Sequence, residues 1–132
     1  MMGTVSQVLL HFSNTKFSYN GMADCCVFAG EIVKAIHGYN PMASFNYTNK
    51  AEAIKTIRKS GDLVQAVTEI LGEPLPMEGV EDGDVLAAMQ TDGEWIVGVA
   101  LGGRMAVKTK ASLMDWPLEF AEHRWRSGCP PR

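Results

Sequence analysis

Asp24-Cys25-Cys26-Val27-Phe28-Ala29-Gly30-Glu31-Ile32-Val33-Lys34-Ala35-Ile36-His37-Gly38 is the stretch from which the rest of the chain is read. Asp24 is a good N-cap, because its carboxylate can accept a hydrogen bond from an otherwise orphaned first-turn amide. Gly38 falls where a left-handed C-terminal cap belongs. Between them Cys25, Phe28, Ala29, Ile32, Val33 and Ile36 recur at helical spacing and form an apolar stripe, with Cys25 in the middle of it and Cys26 turned about a quarter-circle away. A thiol in the first turn lies at the positive end of the helix dipole, which favours thiolate. That is what a cysteine nucleophile requires. The competing reading is a small core residue, since free cysteine is among the most buried types.

Working outward, the chain in front of this helix opens with Val5–Phe12, read as a short first helix, and a turn-rich approach at Phe17-Ser18-Tyr19-Asn20-Gly21. Behind it, Tyr39-Asn40-Pro41 enforces an extended or turned backbone, because the residue before proline avoids the α region. A second helix begins near Asn49 with Ala53, Ile54 and Ile57 inward; Lys55, Arg58 and Lys59 form a solvated basic face or its last turn. Gly61-Asp62 closes that helix and caps the next, whose stripe is Leu63, Ala66, Val67, Ile70 and Leu71 before Gly72. After Glu73-Pro74-Leu75-Pro76 the pattern turns to β. Val85–Met89, Trp95–Leu101 and Met105–Thr109 are separated by the turn signals Thr91-Asp92-Gly93 and Gly102-Gly103, so they run antiparallel. Ala111–Trp116 reads as a loop ending in a short strand, Trp125 as tucked onto the body, and residues from about 127 to 132 as a flexible tail. Helices first and a meander second make an α+β single domain, 1–132, with the cysteine helix packed on a small antiparallel sheet.

Composition excludes several function classes. With 132 residues and a net charge of −3, the chain is large enough for its own core and shows no bulk basic character, so no nucleic-acid partner is expected. No apolar run is long enough to cross a bilayer. Met1–Leu10 has no basic region ahead of its apolar patch, so it does not read as a signal peptide. Three cysteines, two of them adjacent, make a poor disulfide framework and point to a reducing compartment. Without Cys-x-x-Cys or a Cys/His cluster no metal site is expected. Gly102-Gly103 is a turn, not a phosphate loop, and no cofactor is implied.

Asp24-Cys25-Cys26-Val27-Phe28, Gly83-Asp84-Val85-Leu86 and Ile96-Val97-Gly98-Val99-Ala100-Leu101-Gly102 resemble the three blocks of NlpC-type cell-wall peptidases. The resemblance implies a papain-like fold with an Asp-Cys helix start, a Gly-Asp strand start and a strand carrying the base. A second resemblance covers nearly the whole chain. Phe17-Ser18-Tyr19, Asp24-Cys25-Cys26, Gly38-Tyr39-Asn40-Pro41, Tyr47, Ala53, Gly61, Leu71-Gly72, Gly83-Asp84-Val85 and Trp125-Arg126 are similar to a family of small tailed-phage tail proteins of unassigned activity. That implies a virion location in the tail, synthesis in the host cytoplasm, other tail-tip or hub proteins as partners, and several copies per tail.

Carried over position by position, Cys25 takes the nucleophile's place and Ile96 the place of the base. Asp24, Cys26, Asp84 and Ile96 are then the remains of a site. Ile96 is expected to face the cysteine helix, with Trp95 and Val97 turned away. A thiol without imidazole lacks activation and a proton donor for the leaving amine. His37 lies twelve residues along the same helix, roughly 18 Å from Cys25; His11 and His123 cannot be placed from sequence. Asp84 reads as a turn cap or as an orienter of a base. Three readings follow: a structural tail-tip component with a degenerate site and a packed, slowly alkylating Cys25; an active cysteine peptidase or amidase on peptidoglycan stem peptides during genome delivery; and a tail assembly factor not retained in the virion. Pro74–Met77 and Met114–Phe120 are the candidate interface segments.

Overall fold

The computed structural model describes residues 3–16, 24–43, 45, 47 and 49–126. The turn at 17–21 and the tail at 127–132, with Cys129, lie outside them. Among the described residues the order is α1 (Val5–Ser13), α2 (Cys25–His37), α3 (Lys50–Arg58), α4 (Leu63–Leu71), β1 (Val85–Met89), β2 (Trp95–Leu101), β3 (Arg104–Lys108), β4 (Leu113–Pro117), a 3-10 turn at Leu118–Phe120, and β5 (Ala121–Trp125). The architecture is α+β.

Each helix starts on a side chain that satisfies a free first-turn amide. Thr4 and Gln7 make a reciprocal capping box on α1, and Asp24, Asn49 and Asp62 cap α2, α3 and α4 through the amides of Val27, Glu52 and Gln65. Gly38 closes α2 at φ 88°, a left-handed conformation that favours glycine.

The five strands form one antiparallel sheet in the order β4-β3-β2-β1-β5. β1, β2, β3 and β4 are a meander; β5 then crosses over to pair with β1, with Val85 opposite Trp125 and Ala87 opposite His123. On one face Val85, Ala87, Val97, Val99 and Trp125 pack with Phe12 of α1, Phe28, Ile32 and Val33 of α2, and Val67 of α4. On the other, Leu86, Ala88, Ile96, Ala100, Met105 and Val107 form a second cluster, covered by Met77, Val80, Trp116 and Leu118. A sheet buried on both faces explains why β1 and β2 read as nearly continuous apolar runs.

Two expectations are corrected here. α2 buries Cys26, Phe28, Ala29, Gly30, Ile32 and Val33, so its stripe is centred nearer Cys26 than Cys25. The chain folding back after Gly38 is the cause. Asn40 sits against Gly30 so closely that a Cβ there would collide with its amide, while Met42 N donates to Asn40 Oδ1 at 2.9 Å and Met42 joins the core. The second correction is the register of β2. Alternation puts Trp95, Val97 and Val99 on the helix side and Ile96 on the other face, with Leu86, Ala88 and Ala100. Gly98 shares Ile96's face, where a Cβ would lie 2.5 Å from the carbonyl oxygen of Ala106.

β5 replaces the simple tucking of Trp125 that the sequence implied. Trp125 is fully buried and its Nε1 donates to Thr68 Oγ1 of α4 at 3.3 Å. Arg124 points to the opposite face and pairs with Asp84, Nε to Oδ2 at 2.8 Å, with the two side chains 5% and 3% exposed. Its remaining nitrogens donate to the carbonyls of Pro76, Glu78 and Gly79. Asp84 also accepts from Glu81 N at 3.0 Å. The Gly83-Asp84 start of β1 is thus a clamp point for the arm at 76–81. The interface guess at Pro74–Met77 is corrected with it: Leu75 N bonds Arg124 O and Met77 packs on the second cluster, so this segment covers its own domain. On the helix side, Lys108 Nζ donates to Phe12 O at 2.7 Å and to Thr15 O, binding the C-terminal end of α1 to β3. Burial pushes the Lys108 ammonium below its usual range.

Arg124→Met leaves Asp84 buried without its ion partner, and a loss of about 3–5 kcal/mol is expected in urea unfolding. The double variant Asp84→Leu with Arg124→Met, which removes both charges, is expected to recover part of that loss. Gly98→Ala, which must displace backbone of β3, is expected to cost about 1–3 kcal/mol by the same measurement.

Candidate functional site

The N-terminal turn of α2 opens onto a cavity of about 310 Å³. Asp24, Cys25, Cys26 and Tyr47 form one wall; Ala53, Ile54, Ile57 and Arg58 of α3 form another. The start of α4 at Asp62-Leu63 and the β1–β2 hairpin at Gly93-Glu94-Trp95 complete it. The first turns of α2 and α4, the inner side of α3 and the hairpin meet here.

Of the two thiols, Cys25 is half-buried and lines the cavity, while Cys26 is 2% exposed and belongs to the core. Cys26, not Cys25, is therefore the packed thiol. Cys25 touches the apolar clusters on both sides of the sheet. Asp24 is 1% exposed. One of its oxygens caps Val27 N at 2.8 Å and the other accepts the Tyr47 hydroxyl.

These groups bias one another. Burial raises the Asp24 carboxyl above its usual value, opposed by the Tyr47 hydroxyl and by the amides of Val27 and Cys26. Burial, followed by the negative character of Cys26 and Asp24, holds the Tyr47 phenol far above its usual range, so Tyr47 remains a donor. The Cys26 thiol is pushed up by its hydrogen bond with Cys25, then by burial and by Asp24. The positive end of α2 is thus already occupied by a carboxylate.

The histidines take distinct places. His11 is exposed on α1 beside Phe12, and His37 is exposed in the last turn of α2, with its ring against Gly83. His123 lies on β5, edge-on to Trp95 at 5.1 Å between ring centroids and 6.0 Å from Trp125. The cavity wall carries Trp95, against whose ring His123 packs. Of the residues marked from sequence, Asp24, Cys25 and Cys26 meet at the cavity. Asp84 belongs to the Arg124 clamp, and Ile96 to the far face of the sheet. Tyr47 and Trp95 are the site residues that sequence reasoning missed as such. Tyr47 lies 23 residues from Asp24 along the chain, and that separation gave no signal.

A family profile described as a domain of unknown function (DUF6950) matches residues 3–127. The chain belongs to this family. No curated protein matches it. The match on the DUF6950 domain runs from α1 through β5, so cavity, clamp and sheet all fall within it. No group of three or more His, Cys, Asp or Glu side chains is arranged to hold a metal among the described residues.

Asp24→Asn tests the electrostatics of this DUF6950 site, since asparagine caps as well as aspartate and its amide can serve both Val27 and Tyr47. A buried carboxyl whose folded value lies above its unfolded 3.8 adds stability below that value, and this is lost as pH rises through the raised folded value. Urea midpoints are therefore expected to fall for the natural protein from about pH 4 upward relative to Asp24→Asn, whose midpoint lacks that contribution. Parallel curves for the two proteins would refute the assignment.

Proposed function

We propose that the chain is a papain-like, NlpC-like scaffold whose thiol centre has no working base, and that it serves as a structural component of a bacteriophage tail tip or hub. The observation that carries the non-catalytic part is the surroundings of Cys25. The β2 side chain at the cavity is the indole of Trp95, and the polar groups beside the thiols are a carboxyl and a phenol. Thiol acyl transfer needs a group that takes the thiol proton and returns one to the leaving amine. Neither an indole nor a phenol held far above its usual range does this near neutral pH, and the Asp24 carboxyl is taken up by Val27 N and the Tyr47 hydroxyl. The order of elements supports the scaffold: an Asp-Cys helix start, then an antiparallel sheet whose first strand follows Gly83-Asp84. The tail assignment rests on the whole-chain resemblance, with other tail-tip proteins, in several copies, as partners. No described helix is long and apolar enough to cross a membrane.

One observation favours a second reading. Cys25 lines a cavity whose wall includes Trp95, and His123 packs against the Trp95 ring. A rotation of Trp95 that admitted His123 would assemble a cysteine peptidase or amidase for peptidoglycan stem peptides.

Alkylation separates the two. A degenerate site gives Cys25 alkylation by iodoacetamide no faster than that of a small free thiol, no cleavage of a stem peptide, and unchanged infectivity for particles carrying Cys25→Ala. Fast alkylation near neutral pH, together with cleavage that Cys25→Ala and His123→Ala both abolish, is the result for a working enzyme. Mass spectrometry of purified particles then distinguishes a retained component from an assembly factor that leaves before the virion is complete.

A further inference from the structure

α3 buries less of itself than the helices before and after it. Only Ala53 is buried, whereas α2 buries six residues and α4 four. Ile57 packs on the helix-side core from a half-buried position, and Ile54 is 37% exposed. The two ends of α3 are held differently. Two residues ahead of its Asn49 cap, the Tyr47 hydroxyl donates to Asp24. At the other end, Ser60 N and Gly61 N donate to the carbonyls of Ile57 and Arg58, and Gly61 has φ 112°. The Ser60 hydroxyl donates to Glu69 of α4, and Asp62 caps α4. Between these ends Ile54, Ile57 and Arg58 share the cavity with Asp24, Cys25 and Cys26. Asp24 and Cys26 line it and yet are closed to solvent.

We infer that α3 is a lid over the thiol cavity, pivoting on the link at residues 60–62 and latched by the hydroxyl of Tyr47 on Asp24. The inference goes beyond the scaffold reading and holds whether or not Cys25 reacts. An element with few buried side chains opens at a lower free energy than the whole domain. Opening α3 gives up the burial of Ala53 and Ile57 and one side-chain hydrogen bond, and leaves the sheet, α2 and α4 in place. The pivot stays moored to α4 through Ser60, and glycine at position 61 absorbs a change of backbone angle that other residues resist. The latch can release without loosening α2, because Asp24 caps Val27 N with one oxygen and receives Tyr47 on the other. In the open state Asp24 is solvated and Cys26 becomes reachable. The closed state is the one the structure records.

The buried thiol reports the opening. In the full chain carrying Cys25→Ala and Cys129→Ala, Cys26 is the remaining thiol, and its alkylation by iodoacetamide is followed at low urea concentrations. The expected rate is flat across that range, because lid opening exposes little surface. It should rise about tenfold in Tyr47→Phe, which takes a buried hydrogen bond from the closed state alone, and severalfold in Ile57→Ala, which loosens α3 without touching α2. Three outcomes overturn the inference. A rate that climbs with urea along the slope of global unfolding, or no labelling before unfolding, means that Cys26 is reached only when the whole domain opens. A response to Tyr47→Phe without one to Ile57→Ala means that the first turn of α2 frays instead. A rate unchanged by either variant means that α3 does not gate the thiol. The urea series on the parent chain decides the matter if Tyr47→Phe fails to fold. Stem-peptide cleavage by the natural chain would overturn the scaffold reading and leave the lid standing, so either proposal can fail without the other.

Discussion

The side chain of Arg124, desolvated between the end of the sheet and an irregular arm, is the constraint on which the rest of the structure depends. A buried guanidinium costs several kcal/mol unless its donors are satisfied with good geometry. Asp84 takes Nε, and the carbonyls of Pro76, Glu78 and Gly79 take the other nitrogens. Satisfying that one side chain fixes the path of residues 76–79, which brings Met77 and Val80 over the outer face of the sheet. It also fixes β5 against β1, and so carries Trp125 into the core beneath α4. The acid in the Gly-Asp strand start is committed to this clamp, which leaves it no part in orienting a base at the thiol.

At the other end of the sheet the same economy of charge governs the thiols. The dipole of α2 and two first-turn amides are met by the Asp24 carboxyl, and Tyr47 closes over it. Cys26 beneath is a packed thiol that burial and its neighbours keep protonated. Cys25 has access but no described histidine on its cavity wall. A geometry that presents a thiol and a chemistry that uses one are separate achievements, and fold does not carry function with it. What the cavity does offer is shape and the apolar side chains of Ala53, Ile54, Ile57, Leu63 and Trp95.

Among the sequence readings, those resting on local physics agree with the structure. The caps Asp24, Asn49 and Asp62, the left-handed Gly38, the strands Val85–Met89 and Trp95–Leu101 and the α+β order follow from residue type and short-range spacing. These depend on amides, turns and periodicities within a few residues, which the chain states directly. Two readings of facing direction do not agree. Cys25 and Ile96 were each one position away from the residue that occupies the role, Cys26 in the core and Trp95 at the cavity. A helix covered on several sides has a broad apolar face with no unique centre. A strand buried on both faces has no polar alternation to reveal its register.

The sequence by itself therefore determined the four helices and the strands from β1 to β4, their order, most of their ends and the presence of a thiol at a helix start. Only the tertiary structure decided which face each element turns inward, that Ala121–Trp125 is a strand, and that Arg124 is interior. It also decided that Tyr47 meets Asp24 and that Trp95 lines the cavity of Cys25 with His123 packed against its ring. The physical reason is range. Caps and turns are settled by neighbours along the chain, whereas a buried arginine or a tyrosine–carboxyl contact exists only where partners far apart in sequence meet to satisfy it.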